Sequence, residues 1–264
     1  MENILDRIIN MKKVEIARMK DTQEIIQGGS PFSKKSLIKS LSSETKMAII
    51  AEFKRASPSK GVINTAITPV EQAKQYEKYG ASAISVLTDH SFFQGSFVDL
   101  RNVKEAIQLP VLCKDFIIDP LQIDWAVASG ADLILLIVAA MEESKLNELY
   151  QYAKKYNLEV LIEVHNLEEL EKALKTGAKL IGLNNRNLKT FETSLDVTEQ
   201  LGPIVKKSGV FLISESGIHV KEDVERVKQA GANGILVGEA LMKSKNIKQH
   251  LTDYRLQLER VNQI

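Results

Sequence analysis

Ile49-Ile50-Ala51-Glu52-Phe53-Lys54-Arg55-Ala56-Ser57-Pro58-Ser59-Lys60-Gly61 is an apolar run that closes on a glutamate and a lysine two residues apart. It then breaks into a loop of serine, proline, lysine and glycine. In a strand, residues i and i+2 point to the same side, so Ile50, Glu52 and Lys54 share one face. Two charges at the rim of a core are costly unless they pair or meet a ligand. The device recurs in Val111-Leu112-Cys113-Lys114, Val160-Leu161-Ile162-Glu163 and Leu212-Ile213-Ser214-Glu215. Each is an apolar run ending in a charge.

Between these runs lie four others, Ala83–Leu87, Leu133–Val138, Leu180–Leu183 and Gly234–Val237, the last three of which, like the first, follow a Gly-Ala pair. The glycines of those pairs, Gly80, Gly130, Gly177 and Gly231, stand about 50 residues apart, and each fits a helix C-terminal stop before a strand. Helical patterns separate the eight runs, at Pro69–Tyr79, Val98–Ile107, Pro120–Ser129, Glu142–Tyr156, Leu167–Thr176, Leu195–Lys207 and Val220–Ala230. Thr68-Pro69 and Asp119-Pro120 put a capping residue before a proline, a helix-start signal. Strand alternating with helix implies right-handed βαβ units on a parallel sheet. The fourfold charged strand ends favour a closed (β/α)8 TIM barrel over an open doubly wound sheet, because inward side chains of alternate strands form layers at the mouth of a barrel. Glu52, Lys114, Glu163 and Glu215 then share a layer or adjacent ones, with Lys54 above Glu52 and Asn184 at the comparable end of an even strand.

The expected organisation is a single TIM-barrel domain. Residues 1–45 form an N-terminal helical extension, 46–243 the barrel and 244–264 a C-terminal helix. In the extension, Leu5, Ile8, Ile9, Val14, Ile16 and Met19 fall near helical spacing, Gly28-Gly29-Ser30-Pro31 breaks the pattern, and Leu37–Leu41 suggests a second short helix. A packing cover over one end of the barrel fits this segment better than an interaction arm. At 264 residues and 44% hydrophobic, the chain can bury one large core. A formal net charge of +1, without charge blocks, gives no support for nucleic acid as a partner. Cys113 is the only cysteine, and no apolar run approaches the roughly 18–20 residues that span a bilayer. The start of the chain lacks a signal-peptide pattern. The expectation is therefore a cytoplasmic protein without a membrane partner.

Three carboxylates and two ammonium groups over an apolar barrel suit acid–base work on an anionic substrate; mutually satisfied ion pairs are the structural alternative. A second constellation is glycine-rich: Ser214-Glu215-Ser216-Gly217-Ile218 and Val237-Gly238-Glu239-Ala240-Leu241 follow strands seven and eight, where barrel enzymes often bind phosphate. The Glu239 amide, not its carboxylate, should face the phosphate. Ser57 and its loop cover the substrate from the other side, with Lys54 or Lys60 adding charge. Asn184 and Arg186 face the ligand. Phe93 and Phe116 follow strand ends and suit either a core or an aromatic slot. The four histidines, His90, His165, His219 and His250, share no metal-ligand spacing and read as surface or loop residues. Cys113 should face the surrounding helices.

These motifs resemble the indole-3-glycerol phosphate synthase family. The most specific are the opening stretch from Ile50 to Gly61 and Leu112-Cys113-Lys114-Asp115-Phe116-Ile117. Leu161–His165, Gly182–Leu188, Ser214–Ile218 and Val237–Met242 support them. The resemblance implies a reaction without metal or cofactor on a small phosphorylated substrate, 1-(2-carboxyphenylamino)-1-deoxyribulose 5-phosphate. Ring closure, decarboxylation and dehydration would give indole-3-glycerol phosphate for tryptophan biosynthesis. It implies Lys114 as general acid, Glu163 and Lys54 as proton partners, and Glu52 holding Lys54. Asn184, Glu215 and Ser216 would orient hydroxyls, and Gly217, Gly238 and Glu239 would bind phosphate. Phe93, Phe116, Leu135, Leu188 and Leu236 would line the ring slot. A Schiff-base aldolase on Lys114, a phosphoribosylanthranilate isomerase and a non-catalytic sugar-phosphate binder are the rival readings.

Overall fold

The computed structural model describes residues 3–21, 32–188 and 190–258. The sequence's eight apolar runs become eight parallel strands, β1 Ala48–Phe53, β2 Ala83–Leu87, β3 Val111–Lys114, β4 Leu133–Ile137, β5 Glu159–Val164, β6 Leu180–Asn184, β7 Phe211–Glu215 and β8 Gly234–Val237. They close into a barrel in which each strand pairs with its chain neighbours and β1 pairs with β8. Seven helices cross over between them, from Pro69–Lys78 to Lys221–Gln229, each within two residues of its expected ends. Thr68 and Asp119 cap as their proline neighbours foretell: the Glu71 N–H donates to Thr68 Oγ1 and the Leu121 N–H to Asp119 Oδ1. The four repeat glycines all take left-handed φ, between 78° and 100°, the conformation that stops a helix and that a side chain resists.

Strand parity divides the core in two. On β1, Ala48 and Ile50 join Leu112, Leu133, Leu161, Leu180 and Ile213 inside the barrel. Ile49 and Ala51 instead pack outward against the helices, in the same layer as Cys113. Cys113 is fully buried there, and burial pushes its thiol up to about 12, so it is inert.

The extension covers both ends of the barrel. Helix α2, Leu37–Ser43, plugs the N-terminal end with Leu37 and Leu41, and the Glu159 carboxylate at the start of β5 accepts the N–H groups of Leu37 and Ile38. Helix α1, Ile4–Asp21, lies at the opposite, C-terminal mouth. Its Lys12 is 3% exposed and bridges Asp89, just after β2, at 2.8 Å and Asp115, just after β3, at 2.9 Å. The Gly28–Pro31 break lies outside the described residues, as does the chain after residue 258; before that point Ile247–Tyr254 is helical.

Removing Lys12 would leave two buried carboxylates facing each other. Lys12→Met is expected to cost about 3–5 kcal/mol of unfolding free energy, measured by urea denaturation. A loss under about 1 kcal/mol, the range of an exposed pair, would show that α1 is not held this way.

Candidate active site

The charged strand ends meet. Lys114 Nζ lies 3.0 Å from Glu215, 3.6 Å from Glu52 and 3.9 Å from Glu163. Glu52 also pairs with Lys54 at 2.6 Å. The Asn184 amide donates to Glu163 Oε1 at 2.9 Å. Strand parity alone produces this ring, since Glu52, Lys114, Glu163, Asn184 and Glu215 each end the inward row of their strand.

The ring holds a further cation. His165 was expected at the surface, but its side chain is only 14% exposed and its Nε2 stands 3.3 Å from Glu163 Oε1. Its Nδ1 lies 3.0 Å from Glu169. The reason is again parity: His165 follows Glu163 by two residues, as Lys54 follows Glu52, so each glutamate is paired from its own strand.

Burial and pairing set the charges. Burial disfavours the Lys114 cation, but Glu215, Glu52 and Glu163 more than offset it and raise its affinity for a proton. Burial opposes ionisation of Glu163, yet His165, Lys114 and Asn184 hold its carboxyl down at about 2. His165, squeezed by burial but flanked by Glu163 and Glu169, rises to about 10 and is protonated at neutral pH. Glu52 is held below the usual carboxylate range by Lys54 and Lys114, against its burial. Glu215 goes the other way: burial, with Glu163 and Glu52 nearby and only Lys114 in its favour, pushes it up to about 7.

A pocket opens above the ring. Its polar lining includes Glu52, Lys54, Lys114, Glu163, Asn184 and Ser216. Phe93, Phe116, Leu135, Leu188 and Leu236 add apolar surface, with the Phe93 and Phe116 rings 6.0 Å apart. Arg186, Gly217, Gly238 and Glu239 also reach it. Ser57 sits on a two-stranded hairpin, Ala56–Ser57 against Gly61–Val62, where the serine, proline and glycine of the sequence suggest a loop. Arg55 anchors its base through Asp99 at 2.6 Å. The Glu239 carboxylate turns to Lys243 at 2.7 Å and Lys60 at 3.9 Å. Ser216 takes φ 65°, a costly conformation for a residue with a side chain that tends to mark functional sites.

The structure alters three further sequence expectations. Glu215 is 1% exposed and lies beneath Lys114 instead of on the pocket wall. A Cβ on Gly238 would collide with Glu52 Oε1, so this glycine makes room for a carboxylate as well as bordering the pocket. The N-terminal helix contributes Ile4, Leu5 and Ile8 to the lining, which amphipathic spacing alone did not signal.

Comparison with known proteins agrees with this geometry. Residues 5–254 match the model of the indole-3-glycerol phosphate synthase family. A protein of that name from Bacillus mycoides (strain KBAB4) is 51% identical over 262 residues, covering 98% of this chain and all of the relative. One from Bacillus cereus (strain AH820) is 50% identical over 258 residues, with the same coverage. Among solved structures, 3-hexulose-6-phosphate synthase superposes with a TM-score of 0.60 at 18% identity over 79% of this chain and 98% of that one. The 3-keto-L-gulonate-6-phosphate decarboxylase of Vibrio cholerae gives 0.62 at 15% identity, over 80% of this chain and 96% of that one. These two share the fold. Among the described residues, no helix is long and apolar enough to cross a membrane.

The His165 pair makes a pH-dependent contribution with a definite sign. The folded value of about 10 lies above the ordinary 6.5, so the stabilisation is complete below the lower value and fades as pH rises to the upper. His165→Asn is expected to cost about 1.5–3 kcal/mol near pH 6 and clearly less near pH 10, by urea unfolding at each pH. An equal cost at both would mean that the charge on His165 contributes nothing.

Proposed function

The chain belongs to the indole-3-glycerol phosphate synthase family, and we propose that its pocket performs that reaction on 1-(2-carboxyphenylamino)-1-deoxyribulose 5-phosphate. It is a decarboxylating lyase of tryptophan biosynthesis. The observation that carries the residue assignments is Lys114, 3.0 Å from Glu215, in a pocket that Phe93 and Phe116 line and that Gly217 and Gly238 border.

The anthranilate ring packs against Phe93 and Phe116, with Leu135, Leu188 and Leu236 around it, where aromatic and aliphatic surface favours it. The phosphate lies by Gly217 and Gly238, taking the Glu239 amide and the charge of Lys54, while Arg186 and Ser57 border the substrate. This pose folds the sugar over the ring, and holding that geometry supplies much of the rate. Lys114 gives its proton to the ribulose carbonyl oxygen as the ring carbon bearing the carboxylate bonds to the carbonyl carbon. Carbon dioxide leaves, and the pair from the broken bond restores the aromatic ring. Lys54 then protonates the new hydroxyl, which departs as water, and Glu163 takes the proton released from the neighbouring carbon. A carboxylate has become neutral carbon dioxide, so each turnover takes up one proton from solvent. Asn184 and Ser216 hold the remaining hydroxyls. Glu215 and Glu52 act through the two lysines, keeping Lys114 and Lys54 placed and charged.

A Schiff base at Lys114 would need a neutral amine, and three carboxylates keep that amine protonated. We further propose a cytoplasmic monomer as the working unit.

Incubation with the carboxyphenylamino-ribulose phosphate should release the indole chromophore and carbon dioxide. Lys114→Met should lose at least about 100-fold in kcat, the scale of one general acid, with an unchanged circular dichroism spectrum. Full turnover by the variant would remove Lys114 from the chemistry. A borohydride-trapped adduct on Lys114 would replace the acid role with a covalent one.

A further inference from the structure

Gly182 has no backbone reason to be glycine. It lies in the middle of β6, in regular parallel pairing with Glu163 of β5 on one side and Ile213 of β7 on the other. Its φ is outside the left-handed region that only glycine enjoys. A glycine in a strand interior weakens the strand and often marks a close approach by another group. Here the group is identifiable. A Cβ built on Gly182 would collide with Glu215 Oε1 and stand 3.2 Å from Glu215 Cδ and 3.3 Å from Leu161 Cδ1.

We propose that Gly182 is a positioning residue for the ring: its missing side chain is the space in which the Glu215 carboxylate lies, directed at Lys114. Glu215 ends the inward row of β7, one strand away, and its carboxylate folds down over the β6 backbone. From there Oε2 accepts from Lys114 at 3.0 Å, while Oε1, over Gly182, has no hydrogen-bond partner among the described residues. A methyl group at 182 meets the movable end of a side chain, so the barrel need not break. Glu215 must move instead. Moving away from β6 draws the carboxylate off Lys114. The ammonium then loses its shortest carboxylate neighbour, leaving Glu52 and Glu163 at 3.6 and 3.9 Å. Gly182 thus touches no substrate and acts through Glu215 alone.

The proposal rests on the ring-closure reading for its assay, and turnover by the unaltered chain tests that reading separately. Four proteins are compared: native, Gly182→Ala, Glu215→Ala and the double variant, each assayed for indole formation and for thermal midpoint. Gly182→Ala is expected to lose about ten-fold or more in kcat with a smaller change in KM. In the Glu215→Ala background the same methyl has nothing to displace, so it should change kcat by less than roughly two-fold. Should Gly182→Ala fail to fold, the double variant should regain the fold, because the colliding carboxylate is gone. If Glu215→Ala has no measurable turnover, the same comparison is read from the thermal midpoint: the double variant should match Glu215→Ala. Native-like kcat in Gly182→Ala overturns the proposal. So does an equal loss from the methyl in both backgrounds, or a double variant that fails to fold.

Discussion

One buried ammonium among three carboxylates governs the mouth of this barrel. Lys114 cannot be taken out of water without compensation, and neither can Glu52, Glu163 or Glu215. The three glutamates are not equivalent. Glu52 has Lys54 and Glu163 has His165, each two residues further along the same strand, so both stay ionised without calling on Lys114 alone. Glu215 has no such partner, since the residue two beyond it is Gly217. It therefore depends on the single shared ammonium, and its carboxyl rises to about 7. This sets Glu215 apart from Glu52 and Glu163, which their own cations hold below the ordinary carboxylate range.

The second constraint is room. A barrel interior is close-packed, and five polar side chains projecting inward at one level exceed what alternating leucines would leave. The space is found on or just past neighbouring even strands. Gly182 of β6 stands where Glu215 lies down, and Gly238, the residue after β8, stands where Glu52 does. The charge belongs to the odd strands and the vacancy to the even ones. That complementarity explains why the even strands carry so little chemistry of their own at this level beyond Asn184.

Most of the barrel was legible in the sequence because one rule, strand parity, acts everywhere in it. The same rule placed Lys114 inward and Cys113 outward, and gathered four residues that span more than half of the chain. His165 satisfies it as fully as Lys54 does, standing two residues beyond Glu163, although a histidine outside any metal-ligand spacing suggests a surface position. Glu215 ending beneath Lys114 is different in kind. Parity gives the direction of a Cβ, whereas where a flexible carboxylate finally rests depends on a hole left by another strand. The Ala56–Val62 hairpin was hidden for a third reason, its two-residue strands being too short for any periodicity.

The extension shows how distant sequence joins the same site. Asp115 immediately follows Lys114, so successive residues of one strand end face opposite tasks. Lys114 points into the ring, while Asp115 accepts from Thr88 at 2.6 Å and pairs with Lys12 of α1. Asp89, the other partner of Lys12, accepts the N–H groups of Phe92 and Phe93 at 2.7 and 3.2 Å. Lys12 therefore ties α1 to the two segments that carry Phe93 and Phe116, while Ile4, Leu5 and Ile8 of the same helix close over the pocket. A helix that amphipathic spacing marks as a cover thus also sets the spacing of the aromatic walls, through a single buried cation. The barrel supplies the acid–base ring by its own symmetry. The apolar slot, which has no counterpart in that symmetry, is completed from outside it.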